Sequence, residues 1–535
     1  MSRSINLTRQ SSTLVAILAG LLILGCGGKS TEKADGAHHA TDGTSASVTA
    51  KTIDTSANIQ RVSSATKALF SELEKTPVAS PVHVAPLKNG NVVLLVFDAM
   101  NATHLSAYGY ERDTSPFIAS FARGGLTLTN HASNSTWTRP SFTTIITGVP
   151  KSVHGVEASG GWQLPSTITT LAERFRSQGY STAGFSGNPL VRKSWGFDQG
   201  FQLYEDPTTR GLKAFPWDSI WVDAAIKWLD EISEKQPFFL MMFLTSTHPP
   251  YRPPRERQHF LSQAPKGKLI EHPWREYKKP LPKADNLRIQ AAYDDEIAYL
   301  DLQVRRLMDH LKANGQLDNT VVAMTADHGE MMGQHNCYLH AYHMWEQNTR
   351  VPFIIAAPNL PLKNAMDDRP YIHIDIAPTL LDMVGIPYDD TLKGRSLVKT
   401  LAAPDDFTTR YRYTQVNAHG VRRQMVRNED WKLIHHDKVD ESTEQDLDRL
   451  HPSLDMPNPR DLPTLAWEGE RWELYDLSTD IGEDNNLYKN EAAKEKRDDL
   501  EPVLDKLRHK GKGGKANQKM SPQLIEALKN AGYIR

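Results

Sequence analysis

Asn91-Val-Val-Leu-Leu-Val-Phe97 is a continuous apolar run that is followed at once by a carboxylate, Asp98. Runs of this kind are typical of strands that are buried on both faces of a parallel sheet. Ligands of such sheets gather beyond the carboxyl ends of the strands, so Asp98 is a candidate site residue. Taken alone, Asp98 is also consistent with an aspartate that caps the next turn.

A second apolar run ends in the same way and favours the site interpretation. Residues 319–325 predict a buried strand that leads into Ala326-Asp327-His328-Gly329-Glu330. Asp327 and His328 would offer an oxygen and a nitrogen ligand from one loop. With Asp98 and the hydroxyl of Thr138 they predict one site for Zn²⁺, Mn²⁺ or Mg²⁺, with Ca²⁺ less favoured because of His328.

The stretch Ser135-Thr-Trp-Thr138-Arg-Pro140-Ser141 predicts a reactive hydroxyl at the start of a buried helix. We expect Thr138 to cap this helix and Pro140 to lie in its first turn, with Ile145 and Ile146 on the inner face. An anion at Thr138 would meet free backbone N–H groups and the positive end of the helix dipole. The stretch therefore predicts a phosphate or sulfate site.

The remaining pattern indicates strands that alternate with helices, which predicts a mainly parallel sheet covered on both faces. Further strands are predicted at residues 181–185 and 237–244, and a long packing helix at about 287–311. After residue 400 the short apolar stretches predict an antiparallel sheet, interrupted by a polar insertion at 437–462. Four acids of the long helix are expected on its solvated side: Asp294, Asp295, Glu296 and Asp301.

The first 26 residues have the pattern of an export signal. Arg3 and Arg9 precede an apolar run that is too short to span a bilayer comfortably, and the run ends in Ile23-Leu24-Gly25-Cys26. This resembles a bacterial lipoprotein signal in which Cys26 is lipidated, and the alternative is an ordinary cleaved signal. Residues 27–60 are polar and read as a flexible tether. We therefore expect an exported, membrane-anchored protein on the periplasmic or cell-surface side.

Charge and cysteine content exclude two classes of protein. The 62 Lys and Arg residues nearly cancel the 64 Asp and Glu residues, so nothing in the charge balance indicates a nucleic-acid partner. Cys26 and Cys337 are the two cysteines of the 535 residues, which excludes a disulfide framework. Cys337 has no base beside it in the sequence, and we expect an inert thiol.

Several segments, in order along the chain, resemble the sulfatase family. They are Val96-Phe-Asp98-Ala, His104-Leu-Ser-Ala-Tyr-Gly109, Thr325-Ala-Asp-His-Gly-Glu330, Arg350-Val-Pro352, Asp375-Ile-Ala-Pro-Thr379, Gly394-Arg-Ser-Leu397 and Glu473-Leu-Tyr-Asp-Leu477. The resemblance implies the α/β fold of the alkaline phosphatase superfamily, with a mainly parallel sheet flanked by helices in residues 85–400. It also implies a smaller C-terminal α+β domain in residues 401–535.

One departure from the family pattern concerns the nucleophile. Formylglycine sulfatases oxidise a Cys or Ser in Cys/Ser-x-Pro-Ser-Arg to an aldehyde, whereas this chain has Thr138-Arg-Pro140-Ser141-Phe142. Threonine is a secondary alcohol and cannot give that aldehyde. Phe142 replaces the arginine, and Ala99 replaces the usual second aspartate. The threonine and Asp327-His328 instead resemble phosphodiesterases and phosphoglycerol or phosphoethanolamine transferases of the superfamily.

The sequence therefore predicts a metal-dependent enzyme that cleaves a phosphodiester or phosphonate monoester, or transfers the phosphoryl group, through a covalent Thr138 intermediate. The alternatives are a sulfuric ester hydrolase that works without formylglycine and a catalytically silent surface binding protein. The substrate would be a small-molecule, glycan or lipid phosphate or sulfate ester.

Four further side chains are expected to contact the substrate. Thr247-His248-Pro-Pro-Tyr251 resembles a family loop, and we interpret His248 as a general acid or an anion-binding group. His340 and His343 lie where family members often place a substrate or metal residue, and their spacing does not choose between them. Arg139, next to the predicted nucleophile, is the fourth.

Overall fold

The computed structural model describes residues 81–507, except 159–162, 213–216, 233–235, 271–279, 409, 419–420 and 438–469. The predicted signal with Cys26, the tether and nearly all of the polar insertion lie outside the described residues and stay predictions. Among the helices that are described, none has both the length and the apolar character needed to cross a bilayer.

The described strands form one large sheet, one small sheet and a two-stranded ribbon. They are β1 (Asn91–Phe97), β2 (Leu126–Leu128), β3 (Ser181–Ser186), β4 (Leu203–Glu205), β5 (Phe238–Leu244), β6 (Thr320–Ala326), β7 (Met331–Met332), β8 (Tyr338–Leu339), β9 (Phe353–Ala356), β10 (Ala365–Asp367), β11 (Arg412–Ala418), β12 (Val421–Arg427), β13 (Trp431–His436) and β14 (Arg471–Asp476).

The large sheet has eight strands in the order β10-β2-β9-β6-β1-β5-β3-β4. Its pairs are parallel except where β9 runs antiparallel to β2 and β6. β1 lies between β5 and β6, with Leu94 opposite Met241 and Ala323. The sheet is therefore mainly parallel, as predicted, and the strand predicted at 319–325 begins one residue later.

Helices cover both faces of this sheet. The α-helices of the described residues, the last of which packs on the small sheet, are α1 (Pro116–Ala122), α2 (Thr138–Thr147), α3 (Lys151–His154), α4 (Leu171–Ser177), α5 (Asp218–Glu231), α6 (His259–Gln263), α7 (Lys283–Ala313), α8 (Glu346–Thr349), α9 (Ile376–Val384), α10 (Leu397–Ala402) and α11 (Lys494–Leu507).

Alternate residues of β1 enter two separate cores. Val93 and Leu95 lie in the core with α5 and α7, whereas Val92 and Leu94 lie in the core with α2 and α9. A strand buried on both faces needs apolar residues at every position, which explains the continuous apolar run.

The acids of α7 correct one prediction, because they are buried rather than solvated. Asp295 and Asp301 accept hydrogen bonds from backbone N–H groups in the first turns of α6 and α1. Glu296 does the same for the loop after β5, and Asp294 binds the Arg112 guanidinium at 2.6 Å. Periodicity identified the apolar face, but it could not show that other helix N-termini cover the polar one.

The start of α2 corrects a second prediction. Thr138 is the first helical residue, Trp137 occupies the capping position, and no side chain caps this end. All ten residues of α2 are buried, including Ile145 and Ile146 as expected. The Thr138 hydroxyl is therefore left for the site instead of the helix end.

The C-terminal sheet is antiparallel in the order β11-β12-β13-β14, which confirms the predicted smaller domain. Helix α11 packs on it through Leu500, Leu504 and Leu507. The domain boundary predicted at residue 400 falls inside α10, before β11 begins.

Candidate active site and metal centre

Asp98, Asp327 and His328 converge at the carboxyl ends of two neighbouring strands. Asp98 directly follows β1, and Asp327 directly follows β6, which is paired with β1 in parallel. One ligand atom from each of the three side chains lies within 4.8 Å of the other two. All three residues are fully buried. Parallel pairing thus brings together two loops that are more than two hundred residues apart.

The donor atoms of this group are available to a cation. Asp98 Oδ1 and Asp327 Oδ2 are buried and accept no hydrogen bond in the described part of the chain. His328 Nδ1 lies 3.0 Å from the Gly329 carbonyl, which can only accept, so Nδ1 carries the proton. Nε2 therefore presents a lone pair, 3.3 Å from Asp327 Oδ2 and 4.0 Å from Asp98 Oδ1. Two oxygens and one imidazole nitrogen form a set that can hold a divalent metal ion.

The pKa values of these three groups also favour a bound cation. Burial raises the pKa of Asp98 well above its usual value, and the nearby charge of Asp327 raises it further. Burial also raises the pKa of Asp327 and lowers that of His328 to about 3. Two carboxylates that are buried face to face resist ionisation unless a positive charge offsets them. A divalent ion between them would supply that charge.

Thr138 presents its hydroxyl to the same group from α2. Its Oγ1 lies 3.4 Å from His328 Nε2, and the nearby Thr138 hydroxyl lowers the pKa of Asp327. Ser141, one turn later, donates to the Asp327 carbonyl oxygen and lies 3.1 Å from His373 Nδ1. The helix start is therefore fixed against the loop that carries two of the candidate ligands.

His340 and His248 lie beside this centre. The ring of His340 is 4.2 Å from that of His328 and 5.3 Å from that of His248. Glu330 Oε2 lies 3.1 Å from His340 Nδ1, and Trp137 flanks the same imidazole at 5.5 Å. Burial lowers the pKa of His340 well below its usual value. The three imidazoles therefore lie in contact, with the ring of His340 between those of His328 and His248.

The other two predicted substrate residues point elsewhere. His343 stacks on Trp345 at 4.2 Å, beside the C-terminal sheet, so it is the ring of His340 and not that of His343 that lies against His328. Arg139 is buried and donates to the Ala158 carbonyl at 2.5 Å. Their contact with substrate stays a prediction.

Asn188 is a site residue that the sequence analysis missed. Its Nδ2 donates to Asp98 Oδ2 at 2.6 Å, and the residue is fully buried. Asn188 follows the end of β3, which lies in the same parallel sheet, so a search for polar residues after every predicted strand would have found it. Glu330 was visible in the Asp-His-Gly-Glu run, but its pairing with His340 was not.

Comparison with known proteins gives a consistent picture. The family model described as Sulfatase matches residues 90–386, and the model for the N-sulphoglucosamine sulphohydrolase C-terminal region matches residues 333–454. An N-acetylglucosamine-6-O-sulfatase of Bacteroides thetaiotaomicron is 23% identical over 81% of this chain and 88% of its own length. The first match spans most of the large sheet domain.

Two solved structures are similar in fold. A complex of a protein with its substrate D-glucosamine-2-N,6-O-disulfate superposes with a TM-score of 0.63 at 19% identity, over 78% of this chain and 97% of the other. The phosphonate monoester hydrolase of Agrobacterium radiobacter superposes with a TM-score of 0.59 at 21% identity, over 76% and 93%. These similarities confirm the predicted α/β fold with its smaller C-terminal domain.

Proposed function

Since the chain belongs to the sulfatase family, we propose that it hydrolyses a sulfuric ester of a sugar and does so without formylglycine. The N-acetylglucosamine-6-O-sulfatase reported above favours this alternative over a phosphate ester, which was the main prediction from the sequence. The observation that carries the proposal is the Thr138 hydroxyl, 3.4 Å from His328 Nε2 at the edge of the Asp98, Asp327 and His328 group.

Each residue of the group has a role in this proposal. Asp98, Asp327 and His328 would hold a divalent metal ion, together with the Thr138 oxygen. When bound, the ion supplies positive charge that favours the ionised hydroxyl and offsets charge on the ester oxygens. Asn188 and the backbone N–H groups of Ala99 and His328 hold the two carboxylates in place.

Thr138 then acts as the nucleophile. Its oxygen attacks sulfur, the bond from sulfur to the ester oxygen breaks, and the sugar leaves as an alcohol after it has received a proton. Water attacks the sulfated threonine, releases sulfate and restores the hydroxyl. Thr138 begins α2, so the sulfate oxygens face the positive end of a helix dipole during both steps.

His248 is the group that can deliver the proton to the leaving sugar, whereas the lowered pKa of His340 keeps that imidazole neutral. The Pro249 carbonyl lies 2.7 Å from His248 Nδ1 and accepts the proton of that nitrogen. Glu330 orients His340 in the same manner through Nδ1. The ring of His340 lies between those of His248 and His328, which connects His248 to the group of candidate ligands.

A phosphodiester or phosphonate monoester is the second candidate substrate. The observation that favours it is the nucleophile itself, because Thr138 is a plain alcohol and an alcohol with a metal group suits attack on phosphorus. The fold similarity to a phosphonate monoester hydrolase is compatible with this candidate. The same side chains would then act in the same roles.

The test is a substrate panel with a matched pair of variants. The full chain is assayed with 4-nitrophenyl sulfate, D-glucosamine-6-O-sulfate, bis(4-nitrophenyl) phosphate and phenyl phosphonate esters, each with Mn²⁺, Zn²⁺, Mg²⁺ or Ca²⁺. We expect the highest kcat/KM on a sulfate ester. Thr138→Ala should lower kcat by a factor of about 10³ or more, because the covalent step is lost.

Thr147→Ala is the matched control, since it removes the same hydroxyl from the last turn of α2, where Thr147 bonds to the Thr143 carbonyl. It should keep the kcat of the parent protein. Activity of Thr138→Ala equal to that of the parent would refute the nucleophile assignment. A highest kcat/KM on a phosphorus ester would favour the second candidate.

A further inference from the structure

A group of cations surrounds Trp195 next to the start of α2. The Cζ atom of Arg139 lies 4.8 Å from the centroid of the Trp195 ring, and that of Arg192 lies 3.9 Å from it. Both distances are within the range in which a guanidinium interacts with an aromatic face. Two guanidinium groups therefore share one indole.

The helix that follows α2 carries a third cation, Lys151. Lys151 Nζ binds Glu157 Oε2 at 2.6 Å, so this carboxylate is already paired with one cation. The two guanidinium groups on one indole give a positive potential that attracts anions.

The cations are connected to the proposed catalytic residues by short stretches of chain. Arg139 directly follows Thr138 in α2. Arg192 follows a single 3₁₀ turn, Pro189–Val191, that begins at Asn188, the residue that holds Asp98. This turn packs against α2. The positive group is therefore carried by the same elements that hold Thr138 and Asn188.

Arg192 and Trp195 are the members of the group that a ligand can reach. Both are partly exposed, whereas Arg139 and Lys151 are buried. The Nε–H group of Arg192 has no hydrogen-bond partner within the described ranges, although it is shielded from solvent. A buried donor without an acceptor is costly, and an anionic oxygen would satisfy it.

We propose that Arg192 and Trp195, supported by Arg139 and Lys151, form a second anion subsite that binds a sulfate or carboxylate group of the substrate other than the reacting ester. The Arg192 guanidinium can donate two parallel hydrogen bonds to a pair of oxygens of such a group. Trp195 holds the guanidinium in place. This inference rests on the proposed function, since it assigns the enzyme a sugar with at least two anionic groups.

The test measures binding in the Thr138→Ala background, so that turnover does not interfere. Isothermal calorimetry on the full chain compares D-glucosamine-2-N,6-O-disulfate with D-glucosamine-6-O-sulfate. We expect the disulfate to bind about tenfold or more tightly than the monosulfate, because only the disulfate offers a second sulfate for a charge-assisted pair with Arg192. Arg192→Ala should abolish this preference, and Arg192→Lys should retain part of it, since lysine keeps the charge but loses the fork.

Arg305→Ala is the matched control, because Arg305 is an exposed arginine of α7 that pairs with Asp309. It should keep the preference for the disulfate. Equal affinity for the two sugars, no binding of the disulfate, or a preference that survives in Arg192→Ala would each overturn the subsite. A protein that binds the disulfate selectively but releases no sulfate in the kinetic panel would retain the subsite and lose the proposed function.

Discussion

Single residues decide how the metal group is held. Asp98 offers one oxygen to the centre and gives the other to Asn188, so the amide fixes the carboxylate in one orientation. Asp327 is held through Oδ1 by two backbone N–H groups, from Ala99 at 3.1 Å and from His328 at 2.8 Å. In each carboxylate, one oxygen is bound to the protein and the other accepts no hydrogen bond from the described residues, so it could bind an ion.

The first prediction tests whether Asn188 orients Asp98 for metal binding. Asn188→Ala removes the amide that orients Asp98, so affinity for Mn²⁺ or Zn²⁺ should fall by about 10- to 100-fold, as it does when residues behind a metal ligand are lost. Titration against a fluorescent chelator measures it. Asn314→Ala, an exposed change at the end of α7, should leave the affinity unaltered. Equal affinities for the two variants would show that Asn188 does not support the centre.

At the scale of elements, the N-termini of helices are stabilised by buried carboxylates from other parts of the chain. Asp301 and Asp295 of α7 serve α1 and α6 in this way. Asp218, the first residue of α5, accepts from the N–H groups of Thr245 and Ser246 at 2.7 and 3.1 Å. It thereby fixes the turn between β5 and His248.

The second prediction concerns the pH dependence of that contact. Burial raises the pKa of Asp218 from 3.8 to about 6, whereas hydrogen bonds from Ser246 and Thr245 lower it. A raised pKa means that the folded state binds more protons than the unfolded state. The contribution of Asp218 to stability is therefore fully present below its usual pKa of 3.8 and is lost as the pH rises through about 6.

Asp218→Asn should remove this dependence. The difference in unfolding temperature between the parent and the variant should shift in favour of the variant as the pH rises from 3.8 to about 6, and should be constant above that range. Thermal unfolding followed by circular dichroism at several pH values measures the difference. A gap that stays constant across the whole range would contradict the assigned titration.

At the scale of the molecule, buried ion pairs join the large domain to the C-terminal sheet. Glu346 of α8 binds Arg427 of β12 and lies 3.0 Å from Lys432 Nζ of β13. Lys432 also pairs with Glu483 at 2.8 Å. Burial opposes ionisation of Glu346, but the charges of Arg427 and Lys432 outweigh it, so the pKa of Glu346 lies well below its usual value.

The third prediction is that Glu346→Gln destabilises the protein by about 3–5 kcal/mol, because it leaves two buried cations with one carboxylate fewer. Urea unfolding of the full chain measures the change. The control is Glu231→Gln in the exposed pair with Lys227, which is 3.7 Å apart, and its effect should stay below about 1 kcal/mol. Similar losses for both variants would show that the interface pairs do not join the domains.

The strands could be predicted from the sequence wherever the residues of one short stretch are enough to define the element. The run at 91–97 is a strand with those bounds, and the strands after residue 400 form the expected antiparallel sheet. The site could be predicted in part, because the residues that follow two parallel strands must meet at one edge. The acids of α7 and the capping of α2 were predicted wrongly, since both depend on which segments pack there.

The sequence by itself determined the alternation of strands and helices, the candidate ligands Asp98, Asp327 and His328, and the replacement of an oxidisable residue by Thr138. These follow from residue type and local periodicity, which do not require a partner segment. Only the tertiary structure decided that Asn188 supports Asp98, that His340 lies against His328, and that Arg139 and Arg192 share Trp195. The physical reason is that such contacts join side chains from distant loops, and their geometry exists only once the sheet has brought those loops together.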